Sequence, residues 1–157
     1  MRYHLLAGAL SCLLQIPATA QIPIQTDGQS IEGTFISQVV DSAGNLTLFE
    51  GGTFAPDGSY TGANVNGLHS THKGVWVSTG HRKFVLTVLF FTHDAQGVFN
   101  GTVKAKIYLT LAEDLQSYDS VAERIVTDLS GKATVTYPIP GHAVRMNVEF
   151  PDYPPPQ

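Results

Sequence analysis

The chain has 157 residues, with 9 basic against 13 acidic side chains, a net charge of −4 and a single cysteine. The basic residues are scattered, with no run longer than Arg82-Lys83, so neither nucleic acid nor an anionic membrane surface is an expected partner. The one thiol, Cys12, excludes an intrachain disulfide, and its loss with the leader predicted below would exclude a cysteine-ligated zinc site and a cysteine nucleophile as well.

Met1-Arg2-Tyr3-His4 is short and positive, residues 5–14 are apolar, and Gln15-Ile16-Pro17 ends that run. Ala18-Thr19-Ala20 then puts small residues where a signal peptidase reads, which predicts a signal peptide over 1–20 with cleavage near Ala20. The expected location is secreted, extracellular or periplasmic. The apolar run is too short to serve as a membrane span, and no later stretch is long enough either. Lipidation at Cys12 is the weaker reading, because Ala9-Leu10-Ser11 only loosely fits a lipobox and Leu13-Leu14 suits no exposed N-terminus. Cleavage at Ala20 would remove Cys12, so a thiol-free domain would be held by its core and its strand ladders alone.

Residues 21–30 read as an extended lead-in. From 31 to 150 the apolar period is two almost throughout, which is the period of a strand with one packed face and one wet face. Asp41-Ser42-Ala43-Gly44-Asn45 separates strands near 33–40 and 46–51, and Pro56-Asp57-Gly58-Ser59 is a turn between Phe54 and Tyr60. A strand around Trp76 covers 73–78. Residues 82–92 are apolar at both parities, which predicts a central strand covered on both sides. His93-Asp94-Ala95-Gln96-Gly97 turns it back into 102–112, where Val103, Ala105, Ile107, Leu109 and Leu111 alternate with polar residues. Residues 118–129 read as a strand because Val121, Ile125, Val126 and Thr127 are β-branched, although Ala122-Glu123-Arg124 could seed a helical turn. After Ser130-Gly131-Lys132, two further strands are predicted over 132–137 and 143–150, and residues 151–157 form a proline-rich tail. The expected fold is all-β, an antiparallel meander of about eight or nine strands closing into a small barrel, whose interior is either filled or holds one small ligand.

Gly33-Thr34-Phe35, Phe54-Ala55-Pro56-Asp57-Gly58 and Gly74-Val75-Trp76, leading into the hairpin of 84–111, resemble small secreted lipocalin-like (calycin-type) barrels. Secondarily they resemble barrels of the allene oxide cyclase type. Phe35 stands where the kernel lipocalins place a tryptophan. The resemblance implies a barrel with an interior pocket; fold alone assigns no activity.

Candidate ligand-contacting residues are Phe35, Trp76, Phe84, Phe90, Tyr108, Tyr118, Arg124 and Arg145: an apolar lining with a tyrosine or arginine for orientation. Tyr137, Glu123 and Asp128 join them as possible acid–base groups, against the alternative that such residues simply face solvent. His69 and His72, with His81 or His93, are candidate zinc ligands by residue type, but nothing in their spacing demands a metal, and none is expected. There is no Gly-x-Ser-x-Gly elbow, no phosphate-cradling loop and no dinucleotide fingerprint, so no cofactor is expected. Gly51-Gly52 reads as a bend or bulge. Asn45-Leu46-Thr47 and Asn100-Gly101-Thr102 are glycosylation sequons, relevant in a eukaryotic host.

Three functions compete. A secreted barrel that binds a small apolar ligand comes first, and would need an open apolar cavity. An isomerase or cyclase comes second, and would need an inward-facing acid–base pair. The third is a solid, non-catalytic interaction protein, a homodimer through the outward apolar residues of 84–91.

Overall fold

Strands form in this chain where apolar alternation runs, and three of them, those ending at Phe54, His93 and Asp128, stop where an aspartate and a glycine build a turn. The computed structural model describes residues 30–40, 46–65 and 67–149. The predicted signal over 1–20, nearly all of the lead-in and the tail over 151–157 lie outside them. Eight strands follow one another: β1 (Gly33–Val40), β2 (Leu46–Phe54), β3 (Ser59–Asn64), β4 (His72–Gly80), β5 (Lys83–His93), β6 (Phe99–Leu111), β7 (Ser117–Asp128) and β8 (Ala133–Arg145). Each pairs antiparallel with the next, and β8 returns to β1 to close a barrel. The fold is the all-β meander barrel that the alternation predicts. Among the described residues no helix is long and apolar enough to cross a membrane.

The same turn chemistry recurs at three hairpins. Asp57 accepts a hydrogen bond from the Ser59 amide, Asp94 from the Gln96 and Val98 amides, and Asp128 from those of Ser130 and Lys132, all at 2.9–3.0 Å. A glycine in the left-handed region completes each turn: Gly58, Gly97 and Gly131 at φ of 81°, 78° and 82°. Hydrogen bonds from Ser59 and from Ser130 hold Asp57 and Asp128 below the usual carboxylate range. Their stabilising effect is therefore complete above the ordinary carboxylate pKa and disappears as pH falls through the lowered values. Urea midpoints of wild type and of Asp57→Asn/Asp128→Asn should converge as pH is taken from neutral to below about 3; a constant gap across that range would contradict it.

Two expectations are corrected. The predicted strands over 132–137 and 143–150 are one, β8, which carries Pro138 and Pro140. It tolerates them because its pairing is one-sided: β8 meets β1 only at Phe35↔Arg145, Ile36↔Val144 and Ser37↔Ala143, while it follows β7 along most of its length. A strand side without a partner loses nothing when an N–H is missing. Strand β5 is central, as predicted, but its outer face is uncovered. Leu89 and Phe91 are 46% and 49% exposed, because a single-walled barrel has no second layer to put over them.

The chain direction gives the barrel two unlike ends. At the end where β2, β4, β6 and β8 finish, the inward row is packed solid. Phe35, Phe54, Trp76, Phe84, Leu109 and Leu111 are all buried there, and Phe54 meets the rings of Phe35, Tyr60, Trp76 and Tyr118 at centroid distances of 4.9–6.2 Å. Trp76 satisfies its indole N–H on the Ala55 carbonyl at 3.1 Å. Arg145 seals this end: its guanidinium lies 4.5 Å over the Phe35 ring and donates to the carbonyls of Leu115 and Glu32. Gly33, at φ 121°, makes that possible, since a Cβ there would collide with the guanidinium.

Candidate functional site

At the opposite end, where β1, β3, β5 and β7 finish, the inward row changes from large aromatics to small and polar residues. Ala105, Ser120, Ala122 and Gly141 cannot fill the interior, and a cavity of about 230 Å³ remains. Its apolar wall is Leu86, Phe90, Val103, Ala105, Ile107, Leu109, Ala122 and Ile139. Its polar wall comes from the other side of the barrel and holds Glu50, Tyr60, Asn64, His69 and His72, with Tyr118 and Arg124 contributed by β7.

The polar groups form one network around Glu50. Residues Phe54, Gly52 and Glu50 share a parity on β2, so the strand that buries Phe54 also turns Glu50 inward. By the same parity β4 turns in His72 with Trp76. His72 Nδ1 lies 3.0 Å from Glu50 Oε1, and the Tyr60 hydroxyl donates to the same oxygen at 3.3 Å. Tyr60 reaches it by lying across Gly52 and Gly62, where a Cβ at either position would strike the phenol. Gly52 is therefore a close-approach residue within a regular ladder, Gly52↔Gly62, rather than a bend or bulge.

His72 is 98% buried, stacked on Phe90 at 4.1 Å, and its Nε2 has no hydrogen-bond partner among the described residues. In the tautomer that carries its proton on Nδ1, toward Glu50, an imidazole presents Nε2 as a lone-pair acceptor. Burial, then the Glu50 charge, raises Tyr60 and Tyr118 above the ordinary phenol range, so both keep their protons at neutral pH.

His69 sits at the mouth. It bridges to Thr92, lies 2.7 Å from Asn64 Nδ2 through its own Nδ1, and packs against Phe90 at 4.8 Å. Burial first, then His72 and Arg124, holds its pKa below the ordinary imidazole value. The folded state thus favours neutral His69. Its contribution to stability is complete above about pH 6.5 and is lost as pH falls through the depressed value. Wild type should lose more stability than His69→Gln between about pH 8 and pH 5, measured by urea denaturation. Equal losses would remove His69 as the cause.

The eight residues proposed from sequence divide cleanly. Phe90, Tyr118 and Arg124 line the cavity. Phe35, Trp76 and Phe84 do not: they are the packed floor beneath it. Arg145 closes the far end of the barrel. Tyr108 is 66% exposed on the outer face of β6, as strand alternation requires, and cannot touch an interior ligand. Of the other groups, Glu123 pairs outside with Lys106 at 2.7 Å, Asp128 is spent on its turn and Tyr137 is 64% exposed. His142 pairs with Asp119 at 2.8 Å, both side chains being largely exposed. Among the described residues no group of three or more His, Cys, Asp or Glu side chains is placed to hold a metal.

The sequence reading missed Glu50 and Tyr60 and weighed His72 only as a metal ligand. Comparison of the chain with protein-family models, with curated proteins and with solved structures finds no match in any of the three.

Proposed function

We propose that the chain is a secreted β-barrel protein that holds one small, largely apolar molecule in the open half of its barrel. One observation carries the reading: half of the interior is packed solid and the other half is a cavity of about 230 Å³ with one apolar and one polar wall. An engineered apolar cavity of about 150 Å³ accepts benzene, so this volume suits a molecule of one to two rings or an aliphatic chain of similar size. Apolar contact on Phe90, Val103 and Ile107 supplies affinity, and the Glu50–His72–Tyr60 corner orients a polar atom of the ligand. The resemblance to calycin-type barrels points the same way.

Ala122 is the position to test. Ala122→Phe puts a ring into the cavity, so uptake of naphthalene-sized probes, followed by titration calorimetry or by NMR shifts of the lining residues, should be lost. Overpacking should cost about 1–3 kcal/mol of stability, leaving the barrel folded. Wild type that takes up none of these probes saturably would refute the reading.

A second reading, an isomerase acting on a ligand in the same cavity, is favoured by the unpartnered His72 Nε2 beside Glu50. A carboxylate that fixes the imidazole tautomer leaves the other nitrogen free to take a proton from carbon and return it elsewhere on the same molecule. Buried, protonated Tyr118 would donate to the developing oxyanion. Imidazole ¹⁵N shifts assigned to His72 decide whether the needed tautomer exists; protonation on Nε2 with Nδ1 bare would exclude it.

A further inference from the structure

Arg124 is the one lysine or arginine among the residues that line the cavity, and it stands at the exposed rim. On β5, β6 and β7 the charged residues of the strand interiors face outward, as Lys104, Lys106, Asp119 and Glu123 do. Arg124 instead belongs to the inward row of β7 with Tyr118, Ser120, Ala122 and Val126, and it lines the cavity. Its cross-strand neighbours are Ala105 on β6 and Thr136 on β8, and neither can neutralise a guanidinium. The one carboxylate in the cavity, Glu50, is already engaged by His72 and Tyr60. Arg124 makes no hydrogen bond or ion pair with any described residue.

We propose that the molecule held in the barrel is a small amphipathic monocarboxylic acid, its apolar body against Phe90, Val103 and Ile107 and its carboxylate on Arg124 at the mouth. This rests on the ligand-binding reading above and names the class of ligand. A guanidinium offers a planar pair of N–H donors that matches a carboxylate, so the pair can form two parallel charge-assisted hydrogen bonds. The charge balance sets the limit on the head group. One negative charge answers Arg124; a phosphate, carrying nearly two, brings a second charge for which the lining, with Glu50 on its polar wall, holds no second lysine or arginine.

The test uses 2-naphthoic acid, 2-naphthamide and 2-naphthyl phosphate as probes of one shape and three head groups, on the secreted protein at about pH 7. The acid should bind about tenfold or more tightly than the amide, and more tightly than the phosphate, with the acid's advantage shrinking as salt is raised. In Arg124→Gln that advantage should vanish while the amide binds as before, and Arg124→Lys should restore part of it. Arg124 is exposed and outside the packed floor, so the variant keeps its fold, which circular dichroism verifies. Equal binding of acid and amide to wild type, or an acid preference that survives in Arg124→Gln, overturns the assignment and leaves the ligand-binding reading standing. Failure of all three probes, together with naphthalene, overturns both. Tighter binding of the phosphate overturns the monoanion in favour of a more highly charged head group.

Discussion

Phe54→Ala should lower the unfolding free energy by about 3–5 kcal/mol, the range for removing a buried aromatic ring. Phe54 is 1% exposed and is the ring on which Phe35, Tyr60, Trp76 and Tyr118 converge. No other side chain of the floor meets four aromatic neighbours, so the void cannot collapse without moving several rings at once. Domains of this size carry about 5–15 kcal/mol in total, so the variant should unfold about 10–20 °C lower in a thermal scan. A loss under about 1 kcal/mol would show that the floor is not packed as described. The same substitution extends the cavity downward through the floor, so a probe one ring longer than naphthalene should gain affinity relative to wild type. Stability and ligand length thus report on one residue from two directions.

The second large effect is expected at Glu50, where one oxygen serves two donors. Glu50→Gln keeps the shape but offers a weaker acceptor and brings an amide donor. Tyr60 and the His72 Nδ1–H then share a neutral carbonyl in place of a carboxylate oxygen, and the weaker acceptor holds both less firmly. Leaving a buried donor unmet costs about 1–3 kcal/mol. The cleaner measurement is a double-mutant cycle of Glu50→Gln with His72→Phe, since phenylalanine keeps the stack on Phe90. A coupling of about 1–2 kcal/mol is expected, because each single change strands a group that the other change removes. Additivity within about 0.5 kcal/mol would mean that the carboxylate and the imidazole act independently, and the isomerase reading would fall with the pair.

Most of the fold is legible in the residues. Alternation places Val103, Leu109 and Leu111 on one face of β6, and the Asp-Gly turns are readable because each uses an aspartate acceptor and a left-handed glycine. What misleads is local: Pro138 and Pro140 read as a break between strands, since nothing nearby in the sequence shows that one side of β8 lacks a partner. The site was harder to read. Glu50 and His72 are 22 positions apart and meet only once β3 is laid between β2 and β4, so no spacing rule connects them. The usable signal was parity. Glu50 is a carboxylate in step with Phe54, and His72 is an imidazole in step with Trp76, each on the face of its strand that must go inside. Arg124 was found by that rule, in step with Tyr118. Arg145 also lies on a strand, but at the end that the aromatic floor closes, and Tyr108 is in step with the outward Lys104 and Lys106.

The three residue pairs that join β8 to β1 make this seam the shortest join in the barrel, and it runs beside the cavity, whose wall includes Ser37 on one side and Ile139, Pro140, Gly141 and His142 on the other. Backbone groups of β8 above Ala143 are tied to β7 alone, so they can separate from β1 without breaking a ladder. Amide hydrogen exchange should therefore be fastest along residues 133–139 and slowest in β5 and β6, which share eleven pairs. Under the ligand-binding reading proposed above, this edge offers a way out beside the mouth, and a release rate that tracks amide exchange along residues 133–139 would identify it.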